Sequence, residues 1–187
     1  MWDAELRQAC ARVAAAPRWV RVVETAIPAY AASLPDSPPP DPHDPAMPWG
    51  GRAREPRAAF WLTLDAINFG SGWFPTLRKP AGRSGYYTIA GGLRERFEAN
   101  GPWSPTELRA LAPREVAAVL GQDPDHELMA LFAQSLRDLG RQIEAAGSFA
   151  NIVGDSAVSL VARLAGWDCF ADVSLYRGLR VPFLKRA

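Results

Sequence analysis

The chain has 187 residues, 48% hydrophobic and 22% charged, and its 21 basic and 20 acidic side chains leave a net charge of +1. That balance is globular and sufficient for one hydrophobic core, and it supplies no strong field to hold a nucleic-acid backbone. Two cysteines, Cys10 and Cys169, are too few for a disulfide framework or a metal quartet and fit a reducing compartment. The start, Met1-Trp2-Asp3-Ala4-Glu5, is acidic without an apolar run, and no stretch approaches the roughly 18 apolar residues of a membrane span. A soluble cytoplasmic protein with no membrane partner is expected, folded as a single helical domain over residues 1–187.

Leu6, Cys10 and Val13 stand at helical spacing within a helix expected over Asp3–Ala15, and Pro17 ends it. A second helix is expected over Arg18–Ser33, striped by Val20, Val23, Ile27 and Tyr30, with Pro28 kinking or cutting it. Residues 34–51 carry seven prolines and read as an extended surface loop, either a linker or a lid. From Glu55, the run Ala58-Ala59-Phe60-Trp61-Leu62 with Leu64, Ala66 and Ile67 is apolar on both faces and predicts a central, buried helix. It breaks into Asn68-Phe69-Gly70-Ser71-Gly72-Trp73-Phe74-Pro75, and Gly85-Tyr86-Tyr87 opens a helix to about Glu98.

Ser104-Pro105-Thr106-Glu107 is a capping-box start, and Pro113 begins a short helix to Leu120. A long amphipathic helix follows over His126–Ala146, with Leu128, Leu131, Phe132, Leu136, Leu139 and Ile143 on one side. Asp155 and Ser156 offer a cap for a last helix ending near Gly166, and an irregular stretch follows. Few runs alternate as strands do, so the class is all-α. The chain ends on Val181, Phe183 and Leu184, as though an element were beginning, so a C-terminal segment is expected to be missing.

Loop 68–73 offers the most chemistry. Glycine lets backbone approach a ligand, rings stack on bases, and an asparagine amide reads donor and acceptor edges. Read on its own, the same stretch also serves as a helix end capped by Asn68, with Phe69, Trp73 and Phe74 in the core. Tyr86 and Tyr87 would add a second aromatic wall or simply pack. Gln122-Asp123-Pro124-Asp125-His126-Glu127 gathers carboxylates and a histidine. Its spacing fits no common zinc or calcium pattern, and acids before a helix favour its dipole, so capping is expected instead. His43, alone in the proline-rich loop, is read as solvent-facing. Only Lys79 and Lys185 among the basic residues are lysine, and Lys185 beside Arg186 suits a phosphate or an exposed solubilising role. No nucleophile elbow, P-loop or dinucleotide fingerprint occurs. What the residues themselves suggest is an aromatic, amide-bearing pocket for a planar heterocycle, with no cofactor and no metal.

Four segments stand in order and register: Leu64-Asp65-Ala66-Ile67-Asn68-Phe69; Ser84-Gly85-Tyr86-Tyr87; Phe170-Ala171-Asp172 with Tyr176 and Gly178; and Val181-Pro182-Phe183-Leu184-Lys185-Arg186-Ala187. Together they resemble the queuosine salvage protein family, from about residue 55 to the end. The resemblance implies a DNA-glycosylase-like helical fold. It also implies hydrolysis of queuosine 5′-monophosphate, a free nucleotide of a 7-deazaguanine base, to queuine and ribose 5-phosphate. It assigns substrate binding to Asn68, Phe69, Trp73, Tyr86, Asp172, Lys185 and Arg186. Two features depart from the family pattern. Asn-Phe-X-Phe-Trp is here Asn68-Phe69-Gly70-Ser71-Gly72-Trp73, which displaces Trp73. The catalytic aspartate is expected in a Phe-Ala-Asp motif downstream of Lys185-Arg186-Ala187. Asp172 matches that motif by its letters but lies upstream, so no catalytic residue is assigned within the chain. A non-catalytic module binding a modified base or nucleotide is the alternative. A DNA-acting glycosylase is disfavoured by the even charge and the lack of a glycine-hairpin signature.

Overall fold

A computed structural model describes residues 2–16, 21–37, 53–171, 173–176 and 178–182. These fall into two compact units, one of residues 1–45 and 173–182, the other of residues 46–172 and 183–187. Helices make the architecture, as the all-α reading expects.

In the smaller unit, α1 spans Trp2–Ala15. Leu6 and Val13 are half-buried as their spacing predicts, but Ala9 is the buried residue between them and Cys10 is exposed. The stripe therefore runs through Leu6, Ala9 and Val13, still a helical period. The expected helix over Arg18–Ser33 is shorter: a 3-10 turn at Glu24–Ala26 leads into α2, Ile27–Ser33. Pro28 sits in the first turn of α2, where its missing N–H costs nothing, so it starts the helix rather than kinking it. Val23, Ile27 and Tyr30 are exposed, and Val20 lies outside the described residues. So do residues 38–52, which hold His43 and most of the proline-rich loop.

The irregular stretch after residue 172 is a β-hairpin, β1 (Val173–Tyr176) antiparallel to β2 (Leu179–Pro182), with Val173 opposite Pro182 and Tyr176 opposite Leu179. The two-residue connection ends on Gly178 at φ 78°, a left-handed conformation that glycine adopts without strain. Strands of four residues alternate too briefly to stand out in sequence. β2 lies against α1.

The larger unit holds α3 (Arg54–Ala66), α4 (Gly85–Asn100), α5 (Pro105–Ala110), α6 (Pro113–Leu120), α7 (Glu127–Ala146), α8 (Phe149–Val153) and α9 (Ala157–Leu164). α3 is central, as its two apolar faces predict, and packs against α4, α7 and α8. Phe60, Leu64 and Ala66 are fully buried. α7 presents Leu128, Phe132, Leu136, Leu139 and Ile143 to the core, while Leu131 is 38% exposed. The buried Ser135 hydroxyl donates to Ala66 O at 2.5 Å and ties α7 to the end of α3. α5 crosses α7 at Gly140, where a Cβ would lie 2.9 Å from Leu108 Cβ.

Two helix starts follow the expected caps: Ser156 accepts from Ser159 N, and Ser104 with Glu107 completes the capping box. Ser84 caps a third, accepting from Tyr87 N. Ser104 N–H donates to Glu107 Oε2 at 2.7 Å, and this bond, with the serine hydroxyl's, holds the glutamate below the usual carboxylate range.

The five-residue α8 carries no periodicity to read, and side chains from two other helices fix it. At its start, Phe149 N and Ala150 N donate to the Glu55 carboxylate at 2.9 and 2.7 Å. Just past its end, Arg54 donates to Gly154 O at 2.8 Å, and within its last turn Arg163 donates to Asn151 O at 2.8 Å and Ile152 O at 2.5 Å. The peptide groups that a short helix leaves unpaired are thus met by the Ser148 hydroxyl, one acid and two arginines.

Candidate functional site

Arg54, Arg57, Ala58, Trp61, Leu62 and Asp65 recur at three- and four-residue spacing, which puts them on one face of α3. Opposite stand Val153, Gly154 and Asp155 at the end of α8, Leu160, Val161 and Leu164 of α9, and Phe170. Between these walls lies a cleft of about 550 Å³, within the size range of small-molecule sites.

Its lining divides by chemistry. Leu160, Val161, Leu164 and Phe170 form an apolar wall, and Trp61 supplies an indole that is 36% exposed. Phe60 meets the Trp61 ring edge-on at 5.7 Å and 85°, which braces it. Arg54 is committed to Gly154 O and to Asp155, 3.4 Å away. Among the described residues the Arg57 guanidinium has no hydrogen-bond or ion-pair partner. Asp65 is half-buried at the far end of the same face. Its charge also reaches Tyr86: burial first, then Asp65, then Tyr87 push the Tyr86 phenol above the ordinary tyrosine value, so it stays protonated at neutral pH.

The aromatic loop sits elsewhere. Ile67 N and Asn68 N close α3 by donating to Leu64 O and Asp65 O. The Asn68 side chain is half-buried and makes no side-chain hydrogen bond among the described residues. Phe69 packs edge-on against Phe132 of α7, at 5.1 Å and 90°. Gly70, at φ 80°, turns the chain beneath Leu128. Trp73 donates its indole N–H to Glu127 Oε2 at 3.2 Å. Phe74 lies so close over Gly85 that no Cβ fits there, and Tyr86 meets Tyr87 at 5.3 Å on α4. Phe69 and Trp73 therefore share the first half of α7, while Tyr86 belongs to the start of α4. None of Asn68, Phe69, Trp73 and Tyr86 lines the α3–α9 cleft. Asp172, Lys185 and Arg186 lie outside the described residues.

The Gln122–Glu127 cluster acts as the expected cap. His126 Nδ1 accepts the Leu128 N–H at 3.2 Å, so Nε2 carries the hydrogen and donates to Thr76 Oγ1 at 2.8 Å. Thr76 in turn donates to Trp73 O at 2.7 Å. Arg78 N donates to Gln122 Oε1 at 2.9 Å, and Gln122 Nε2 returns a bond to Arg78 O at 2.9 Å. The cluster thus clamps residues 73–78 to the start of α7. It borders a shallow hollow of about 270 Å³.

On this α3 face arginine, tryptophan and aspartate punctuate an otherwise apolar run, and their shared spacing is its signal in the sequence.

The helical unit thus gathers an indole, two guanidiniums and two carboxylates, those of Asp65 and Asp155, around one cleft. The sequence profile of the queuosine salvage protein family matches residues 50–187, and the chain belongs to that family. A curated relative from Sphaerobacter thermophilus, named queuosine 5′-phosphate N-glycosylase/hydrolase, is 33% identical over 144 residues covering 72% of this chain. The chain spans 45% of that relative's length. Among the described residues no helix is long and apolar enough to cross a membrane.

Proposed function

We propose that the protein carrying this sequence hydrolyses the N-glycosidic bond of queuosine 5′-phosphate, releasing queuine for salvage. The observation that carries this reading is the family match over residues 50–187, and the relative's name states the same activity. The cleft supports it with cationic side chains for a phosphate, an indole for a planar base and a carboxylate for donors.

In the reaction a water oxygen bonds to the anomeric carbon, the C–N electron pair leaves with the base, and a proton from water ends on the departing nitrogen. The sugar passes through an oxocarbenium-like state, which a nearby carboxylate stabilises while orienting the water. A 7-deaza base has carbon where a purine could be protonated at N7, so stabilisation at the sugar must supply more of the rate. On this reading that carboxylate is the aspartate expected from the family resemblance.

Incubation with queuosine 5′-phosphate followed by chromatography should yield free queuine and ribose 5-phosphate, with no base released from duplex DNA. Release from DNA instead would overturn the reading. Tight binding of the nucleotide without turnover would favour a non-catalytic binding module.

A further inference from the structure

The α3–α9 cleft has a direction. Arg57, Trp61 and Asp65 stand four residues apart in turn on one helix face. With a rise of 1.5 Å per residue, Arg57 and Asp65 are about 12 Å apart along the axis, and Trp61 lies midway. That is the scale of a mononucleotide laid lengthwise, phosphate at one end and outer base edge at the other.

We infer that the cleft holds the nucleotide along α3, with its phosphate on Arg57, its base against Trp61 and the donor edge of the base on Asp65. This rests on the hydrolase reading for the identity of the base, but the polarity of the cleft comes from its own residues. Arg54 is already spent on Gly154 O and Asp155, which leaves Arg57 as the guanidinium with no partner among the described residues. A planar guanidinium is suited to two phosphate oxygens at once. The partly exposed indole, braced by Phe60, offers a rigid ring to stack on. An ionised aspartate is acceptor-only. A 7-deazaguanine keeps the adjacent ring N–H and amino donors of guanine, a pair that one carboxylate can accept together. An adenine edge pairs an amino donor with an unprotonated ring nitrogen, which a carboxylate repels. Asp65 is thus the residue that selects the base, and Arg57 the one that selects the nucleotide over the free base.

Titration calorimetry tests both assignments on the whole chain. The probes are queuosine 5′-phosphate, queuine, guanosine 5′-monophosphate and adenosine 5′-monophosphate. Arg57→Ala should weaken queuosine 5′-phosphate about tenfold or more while leaving queuine unchanged, and Arg57→Lys should recover part of the loss. Asp65→Asn should weaken queuine and queuosine 5′-phosphate by a similar factor and narrow the preference for guanosine over adenosine monophosphate. Melting curves identify any variant that has lost its fold, and Arg57→Lys together with the isosteric Asp65→Asn guards against that loss. Unchanged affinity for queuosine 5′-phosphate in both Arg57→Ala and Asp65→Asn would overturn the inference. So would absence of nucleotide binding by the unaltered protein, although queuine release in the product assay would leave the hydrolase reading standing. If guanosine monophosphate binds as tightly as queuosine 5′-phosphate with the same variant pattern, the cleft assignment holds and the queuosine reading fails.

Discussion

The loop Asn68–Thr76 and the cleft-facing side of α3 are neighbours in sequence and differ in fate. The loop carries the conspicuous residues, yet its rings and polar atoms are mostly consumed by the fold: Phe69 on Phe132, Trp73 on Glu127, Phe74 on Gly85 and Thr76 on His126. The α3 face is plainer, but Arg57 and Trp61 keep their functional atoms turned to a cavity. Chemistry visible in a residue list is a supply, and packing decides how much remains for a ligand.

The comparison is sharpest in stability. Phe69→Ala removes a half-buried ring from the α7 interface and should cost about 2–3 kcal/mol, below the full cost of emptying a closed core site. Trp61→Ala strips a larger ring from the cleft and should cost about 1 kcal/mol or less while impairing ligand binding. Urea unfolding of the two variants measures the gap, and equal losses would erase the distinction between loop and face.

A smaller effect tests how tightly the loop is pinned. Replacing a helical glycine by alanine ordinarily stabilises by about 0.5–1 kcal/mol. At Gly85 the added Cβ would overlap Cβ, Cγ and Cδ2 of Phe74, and overpacking of that kind costs about 1–3 kcal/mol. The clash should win, so Gly85→Ala should unfold at lower denaturant. A gain in stability would mean Phe74 can leave and the loop is not fixed to α4.

The smallest effect concerns the Asp65 charge. Burial is the larger cause of the raised Tyr86 value and Asp65 the second, so Asp65→Asn should lower the phenol's ionisation toward the ordinary value near 10.0 without reaching it. Because the folded value is the higher one, the stability linked to Tyr86 is intact below the unfolded value. It is lost as pH rises through the folded value, and Asp65→Asn should shrink that loss. Ultraviolet difference titration of tyrosinate follows the shift, and no movement would separate Asp65 from Tyr86.

Much of the helical framework could be read directly because its signals are local. Ser104 with Glu107, Pro113 and the Leu128–Ile143 stripe each mark an element within a few residues of itself. α8 and the hairpin escaped because five- and four-residue elements complete too little of a period, and what fixes α8 comes from Glu55, 94 positions away from Phe149. The cleft escaped for a related reason. Its first wall is a spacing on α3, but it becomes a cavity only when α9, about a hundred residues later, is folded against it. Pro28 shows the opposite failure, a local signal with two meanings, since proline ends one helix and begins another.

The hold of α3 on α8 works as a caliper. Neighbouring residues on one turn of α3 grip the two ends of a single short helix, Glu55 at the first peptides and Arg54 just past the last. Adding or removing one residue within Phe149–Val153 would move the far end by about 1.5 Å and swing it through about 100°. Both jaws could not then close at once, and the Gly154–Asp155 rim of the cleft would drift from Arg54. The length of α8 is therefore a gauge for the mouth of the cavity.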